Sequence, residues 1–164
     1  MRKASFLLLI VAALAVPSVV LADRAAKGDG TLSVRDGYGR LTLSLNHGIV
    51  FGRLDSGKIT MDVDSDFEDF GTCTFAPGVR ENTLSCKGTD LRFRFVTTRG
   101  DEIRVSSGKG FNITAVGQGT GKLQGSLDAL DVGTYSLNGG AYADLPFVEK
   151  KFTLGTAQTA GSGG

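Results

Sequence analysis

The sequence predicts an all-β protein, folded as an antiparallel β-sandwich or a flattened β-barrel of about ten short strands. Apolar and polar residues alternate with a period of two along most of the chain, which is typical of strands with one buried face. Glycine is frequent, with 24 residues in 164, and supplies the backbone freedom that tight turns need. No segment of helical length has apolar residues spaced three and four apart.

The clearest alternation covers residues 40–45, where three leucines point one way and Arg40, Thr42 and Ser44 point the other. Similar patterns recur along the chain, and residues 126–133 could form one helical turn capped by Ser126. The candidate strands are residues 31–34, 40–45, 49–54, 58–64, 91–95, 103–106, 111–116, 122–127, 135–137 and 151–154.

Dipeptides that end in glycine separate these candidate strands, and each is predicted to be a turn. They are Asp36-Gly37, Ser56-Gly57, Arg99-Gly100, Ser107-Gly108 and Asn138-Gly139.

Two segments of the chain resemble each other. Residues 37–45 and 119–127 are identical at five of nine positions, with Arg40 matched by Lys122. Two copies of a strand–turn–strand unit would suit a two-sheet sandwich with an internal repeat. The alternative is that a glycine-rich chain uses the same G-x-G hairpin chemistry twice.

The N-terminus predicts export. Arg2 and Lys3 precede an apolar run over residues 6–16, and Ala22 ends a small-residue motif typical of cleavage by signal peptidase. The alternative is an uncleaved anchor. The predicted layout is a signal peptide (1–22), a polar lead-in (23–30), one β domain (31–154) and a Gly/Ala/Ser/Thr tail (155–164), in a secreted, periplasmic or envelope protein.

The charge balance argues against nucleic acid as a partner. The chain has 18 Lys and Arg against 17 Asp and Glu. Removal of the predicted signal peptide changes the net charge from +1 to −1. A dedicated nucleic-acid binder carries a basic excess. After the leader, no apolar run is long enough to form a transmembrane helix.

Cys73 and Cys86 are the two cysteines, and export favours a disulfide between them. Such a bridge would stabilise the fold by about 3 kcal/mol, because it closes a short loop in the unfolded chain. The alternatives, a redox pair or a metal site, lack a C-x-x-C spacing or a nearby histidine.

An acidic cluster offers the oxygen ligands that Ca²⁺ prefers, but it lacks the glycine and the final carboxylate of an EF-hand loop. The alternative is a solvated strand end followed by an acidic loop. The predicted weak Ca²⁺ site comprises Asp62, Asp64, Asp66 and Glu68.

Arg92, Arg94 and Arg104 are predicted to share the outer face of one hairpin, where they could bind phosphate or sulfate groups of an envelope polymer. Alternatively they pair with acids such as Asp62 and Asp64 on a neighbouring strand. Catalysis has weaker support, because His47 is the only histidine and no G-x-S-x-G motif is present.

Residues 28–34, 52–57, 91–96 and 113–125, taken together, resemble a group of small exported bacterial proteins that are predicted to be all-β and have no assigned function. The resemblance implies export and the fold class, and it carries over no functional residue.

The sequence therefore predicts a non-enzymatic secreted or envelope-associated β module without a cofactor, which binds a surface polymer or a partner protein. One alternative is a β-sandwich that binds a small ligand or Ca²⁺. A second is a hydrolase that uses paired carboxylates.

Overall fold

The structure is a computed structural model, and it describes residues 28–62, 75–77, 83–97 and 100–155. Several predicted features lie outside these residues. They are the signal peptide, most of the lead-in, the tail beyond Gly155, Cys73, and the acidic residues Asp64, Asp66 and Glu68.

The described residues form one antiparallel sheet of seven strands that curls into a half-barrel, which confirms the all-β prediction. The spatial order is β2-β3-β1-β4-β7, with β5 paired to β1 and β6 paired to β5. No helix within the described ranges is long and apolar enough to cross a membrane. The strands are β1 Gly30–Asp62, β2 Phe75–Pro77, β3 Thr83–Thr97, β4 Asp101–Gly125, β5 Thr134–Leu137, β6 Ala143–Asp144 and β7 Lys150–Leu154.

Strands β1 and β4 are unusually long, with 33 and 25 residues, and they pair with each other twice. Thr31 and Ile49 of β1 lie on opposite sides of Val116 of β4. In the same way, Leu41 of β1 lies between Val105 and Leu123 of β4. The first half of β1 therefore flanks one side of β4 and the second half flanks the other, so the sheet must roll up.

The prediction of about ten short strands treats the glycine dipeptides as turns, but three of the five dipeptides lie inside long strands. Arg99, of a fourth dipeptide, lies outside the described residues. Asp36 and Ser107 adopt the left-handed conformation (φ 50° and 56°) within β1 and β4. The register shifts around Gly37, and again between Ser56 and Lys58. A left-handed residue can produce a bulge as readily as a chain reversal, and the local sequence does not distinguish the two.

The dipeptide Asn138-Gly139 forms a turn, as predicted. Both residues have positive φ (50° and 74°), and the Gly140 N–H donates to the carbonyl oxygen of Leu137 at 2.9 Å. This is the geometry that an Asn-Gly turn favours. Residues 126–133 form a loop rather than a helical turn, and the Ser126 hydroxyl accepts a hydrogen bond from the Asp128 N–H at 3.3 Å.

The two similar segments pair with each other instead of facing each other across a sandwich. Arg40 lies opposite Gln124, and Leu41 lies opposite Leu123. The described residues form a single sheet, so the second sheet of the expected sandwich is absent from this part of the chain.

The inward face of the sheet forms the core, as the alternation predicts. Its side chains are aliphatic or aromatic and almost fully inaccessible to water, and burial of each contributes about 1.5–3 kcal/mol. The core includes Leu32, Leu41, Leu43, Leu45, Val50, Leu54, Ile59, Leu91, Phe93, Phe95, Ile103, Val105, Phe111, Ile113 and Leu123.

Asn138 ties three strands together at one edge of the sheet. Its N–H donates to the carbonyl oxygen of Thr31 at 2.7 Å, and its side-chain oxygen accepts from the Thr31 N–H at 3.2 Å. Its amide nitrogen donates to the carbonyl oxygen of Thr153 on β7 at 3.3 Å. One turn residue thus links β1, β5 and β7.

Asn138→Ala should lower the free energy of unfolding by about 2 kcal/mol, since it removes two side-chain hydrogen bonds and places alanine at φ 50°. Asn138→Gly removes the same bonds without the backbone strain and should cost about 1 kcal/mol. Chemical denaturation of the two variants separates the two effects. Equal losses would show that the left-handed backbone contributes nothing.

Candidate functional site

The outer face of the sheet carries basic side chains interleaved with hydroxyl side chains. It is formed by the residues of β1, β3 and β4 that alternate with the core positions. Its exposed members include Arg40 and Lys58 of β1, Lys87 of β3 and Arg104 of β4. Serine and threonine lie between them, so cations and hydroxyl groups share one curved surface.

Strand register arranges these residues in two rows across the sheet. In the first, Lys87 lies opposite Lys58, and Lys58 lies opposite Ser106. Arg40 extends this row, because Leu41, its neighbour along β1, pairs with Val105, the neighbour of Ser106.

The second row lies beside the first. Arg104 sits between Thr60 and Thr42, and Thr42 lies opposite Lys122. We call Arg40, Lys58, Lys87, Arg104 and Lys122 the cationic patch.

Like charges face each other at three positions of the described ladders, although such pairs are destabilising. In none of these ladders does an acid face a base. The three pairs are Arg53–Arg92, Lys58–Lys87 and Lys122–Lys151.

Acidic side chains compensate some of these cations from within the same strand. Asp55 accepts a hydrogen bond from Arg53 at 2.9 Å, and this bond together with the carboxylate charge raises the pKa of Arg53 above its usual value. Asp90 lies 3.6 Å from Arg92. The Arg53–Arg92 pair is therefore charge-compensated.

The first row of the patch lacks this compensation. Among the described residues, no acid forms an ion pair with Arg40, Lys58 or Lys87. In the second row, Arg104 pairs with Glu102 at 2.7 Å and Lys122 pairs with Glu149 at 3.6 Å. Within the cationic patch, the cations without an ion pair therefore lie along the first row.

Arg92, Arg94 and Arg104 all lie in outward positions but do not form one hairpin face, because β1 separates β3 from β4. Arg92 lies opposite Arg53, and Arg94 lies opposite Phe51. Of the three, Arg104 belongs to the cationic patch.

The expected pairing of these arginines with Asp62 is not produced by the register. Asp62 lies opposite Thr83, and the strand neighbours of Arg104 are Thr60 and Thr42. Asp64, the other expected partner, lies outside the described residues.

The predicted Ca²⁺ site and the predicted disulfide both depend on residues outside the described ranges. Asp62 ends β1, but Asp64, Asp66 and Glu68 follow it outside the described chain. Within the described ranges, no three His, Cys, Asp or Glu residues are grouped so as to hold a metal ion. Cys86 is fully buried on β3, opposite Ile59, and Cys73 lies outside. Both features stay predictions.

An open cleft of about 470 Å³ lies where the first described residues meet the turn after β5. Asp29 is the one carboxylate in its lining, so a hydrolase that needs two carboxylates would need a second from elsewhere. The lining residues are Gly28, Asp29, Gly30, Thr31, Asn138, Gly139 and Gly155.

Asp29 contacts His47, a pairing that sequence analysis missed. His47 Nε2 lies 2.8 Å from Asp29 Oδ1, and the Asp29 side chain is only 5% exposed. The two residues are 18 positions apart in sequence. Only the rolled sheet brings them together, so no local motif could have identified the pair.

Each of the three tyrosines of the chain has a cationic side chain near its ring. The Arg35 guanidinium lies 4.0 Å from the centre of the Tyr142 ring. Lys150 and Lys109 lie 5.2 and 5.4 Å from the Tyr135 and Tyr38 ring centres. The Arg35 contact is a typical cation–π pair, whereas Lys150 also lies 2.6 Å from the Tyr135 hydroxyl and therefore contacts the edge of that ring.

Comparison with protein-family models, with curated proteins and with solved structures finds no match for this chain.

Proposed function

We propose that this chain is an exported, non-enzymatic module that binds an anionic polymer of the cell envelope through the cationic patch. The observation that carries the proposal is the first row of the patch, in which three exposed cations have no ion pair within the described chain and two of them face each other.

The first row of the patch is unfavourable for the stability of the unbound protein. A like-charge pair opposite on neighbouring strands destabilises a sheet, whereas an opposite-charge pair contributes roughly 0.2–1 kcal/mol. The chain contains nearly as many acids as bases, and it places acids beside Arg53, Arg92 and Arg104. Leaving Lys58 opposite Lys87 is therefore unfavourable for stability, and an anionic ligand would offset that repulsion.

The spacing of the patch suits a polymer better than a single small anion. Side chains on neighbouring strands are about 5 Å apart, and Arg40 lies about 10 Å from Lys58 across one intervening strand. The hydroxyl groups of Thr42, Thr60 and Ser106 lie between the cations, where they can donate hydrogen bonds to phosphate, sulfate or carboxylate oxygens. Such a surface recognises repeated negative charge rather than one molecular shape.

The predicted signal peptide supports the envelope as the source of that polymer, because export places the patch outside the cytoplasm. The near-neutral net charge of the whole chain argues against nucleic acid as the main partner.

Binding of a fluorescent inorganic polyphosphate, measured by anisotropy, tests the proposal. Association of the protein with the polymer releases counterions. If about four cations of the patch contact the polymer, its affinity should therefore fall about 100-fold between roughly 50 and 200 mM salt. Uncharged dextran of similar length serves as the control and should not bind. Equal binding of the two polymers, or affinity that salt leaves unchanged, would contradict the proposal.

A further inference from the structure

Two neighbouring loops expose four large apolar side chains at one end of the sheet. Leu127 and Leu130, in the loop after β4, are 79% and 110% exposed. Phe147 and Val148, in the loop before β7, are 50% and 80% exposed. We call these four residues the apolar loop patch. Their exposed surfaces sum to on the order of 500 Å², which is comparable with the largest apolar patch of a typical monomer, and such patches are often functional.

Hydrogen bonds hold the two loops together. The Gly125 N–H donates to the carbonyl oxygen of Pro146 at 2.8 Å, and the Leu145 N–H donates to the carbonyl oxygen of Gly133 at 3.0 Å. The Gln124 side-chain amide donates to the carbonyl oxygen of Phe147 at 3.0 Å. The patch is therefore preformed, so covering it requires little ordering of the backbone.

The charges around the patch are of both signs and are compensated unequally. Glu149 is paired with Lys122 at 3.6 Å, Asp131 accepts a hydrogen bond from the Gly133 N–H at 2.8 Å, and Lys150 donates to the Tyr135 hydroxyl at 2.6 Å. Asp128 and Lys151 are exposed, and neither forms an ion pair within the described residues. Two acids of one loop, Asp128 and Asp131, and two bases at the start of β7, Lys150 and Lys151, therefore have no ion pair within the described residues, and Asp128 and Lys151 also form no side-chain hydrogen bond there.

We propose that the apolar loop patch is the interface of a symmetric homodimer. A twofold axis through the patch places Asp128 of each copy against Lys151 of the other, while the apolar side chains meet between them. The pair buries about 1,000 Å² in total, at the lower limit for a specific interface, so the dimer is weak and concentration-dependent. An anionic membrane surface fits less well, because Asp128 and Asp131 offset Lys150 and Lys151 and leave the patch without the basic excess that such a surface attracts.

Sedimentation velocity of the purified protein without polymer, from roughly 1 to 300 µM, tests this proposal. The expected result is a monomer–dimer equilibrium with a Kd of about 10–100 µM. Leu130→Glu should weaken it at least about tenfold, because burial of an unpaired charge is unfavourable. Leu130 is fully exposed in the monomer, so an unchanged circular dichroism spectrum is expected to show that the variant folds.

A charge exchange identifies the geometry of the interface. Asp128→Lys and Lys151→Glu should each weaken self-association about fivefold, since each creates like charges across the twofold axis. An equimolar mixture of the two variants should associate to within about threefold of the native protein, because the mixed dimer has two opposite-charge contacts, one native and one with its charges exchanged.

Three outcomes would overturn the dimer. They are a protein that stays monomeric at the highest concentration, a Kd that Leu130→Glu leaves unchanged, and a mixture of the charge variants that associates no better than either alone. Co-flotation of the native protein with anionic vesicles, abolished by Leu130→Glu in the absence of self-association, would assign the patch to a membrane instead.

Discussion

Gly117→Ala is expected to lower the free energy of unfolding by about 3–5 kcal/mol, which is a large part of the roughly 5–15 kcal/mol of an ordinary domain. Gly117 of β4 pairs with Gly30 on one side and Gly48 on the other, where the two halves of β1 flank β4. A Cβ at Gly117 would lie 2.2 Å from the carbonyl oxygen of His47 and 2.7 Å from the Cα of Gly48. Both are backbone atoms, so neither can move without opening the sheet. The φ of 153° adds strain for any other residue.

Gly88→Ala is the matched control. Its Cβ would meet only the flexible end of the Leu91 side chain, Cδ2, at 3.2 Å, so the loss should stay below about 1 kcal/mol. Urea denaturation, followed by far-ultraviolet circular dichroism, measures both variants. If the two substitutions were equally mild, the close approach of the two halves of β1 to β4 would be wrong, and with it the rolled sheet.

Reversing one like-charge pair of the cationic patch should reduce affinity for polyphosphate at low salt by at least about 100-fold. The double variant K58E/K87E removes two attractive contacts and adds two repulsive ones, each worth on the order of 1 kcal/mol near a polyanion. The altered pair still opposes like charges, so stability should change little. Fluorescence anisotropy with labelled polyphosphate measures the affinity.

R53E/R92E is the matched control for that loss. These residues also face each other across β1 and β3 and undergo the same change of charge. They lie about 17 Å farther along the strands, and Asp55 and Asp90 already compensate them. The affinity of the R53E/R92E variant for polyphosphate should therefore differ from that of the native protein by less than about threefold. Equal losses in the two double variants would mean that net charge, and not the patch, determines binding.

The single variant Lys58→Glu separates function from stability. It places an acid opposite Lys87, so it should stabilise the sheet by about 0.2–1 kcal/mol while weakening polyphosphate binding. If the like-charge pair Lys58–Lys87 contributes to ligand binding at the expense of stability, the variant should be more stable than the native protein and bind polyphosphate less tightly. A loss of stability would remove the physical basis of the proposed function.

The sequence predicts which face of each strand is buried, but it predicts only part of the candidate site. It identified Arg104, which belongs to the cationic patch, together with Arg92 and Arg94, which lie elsewhere on the outer face. It missed the row formed by Lys87, Lys58 and Arg40. These residues become neighbours only when β1 pairs with β3 on one side and with β4 on the other.

The sequence by itself determined the all-β class and the inward face. Leu41, Leu43 and Leu45 alternate in sequence and are all at most 2% exposed, because the direction of a strand side chain depends only on its own position in the pleat. The tertiary structure decided whether Asp36-Gly37 reverses the chain or bulges a strand, and which residues share a row. Both depend on pairing between residues far apart in sequence. A shift of one strand by two residues leaves every side chain on the same face of the sheet, so the alternation of apolar and polar residues does not distinguish these registers.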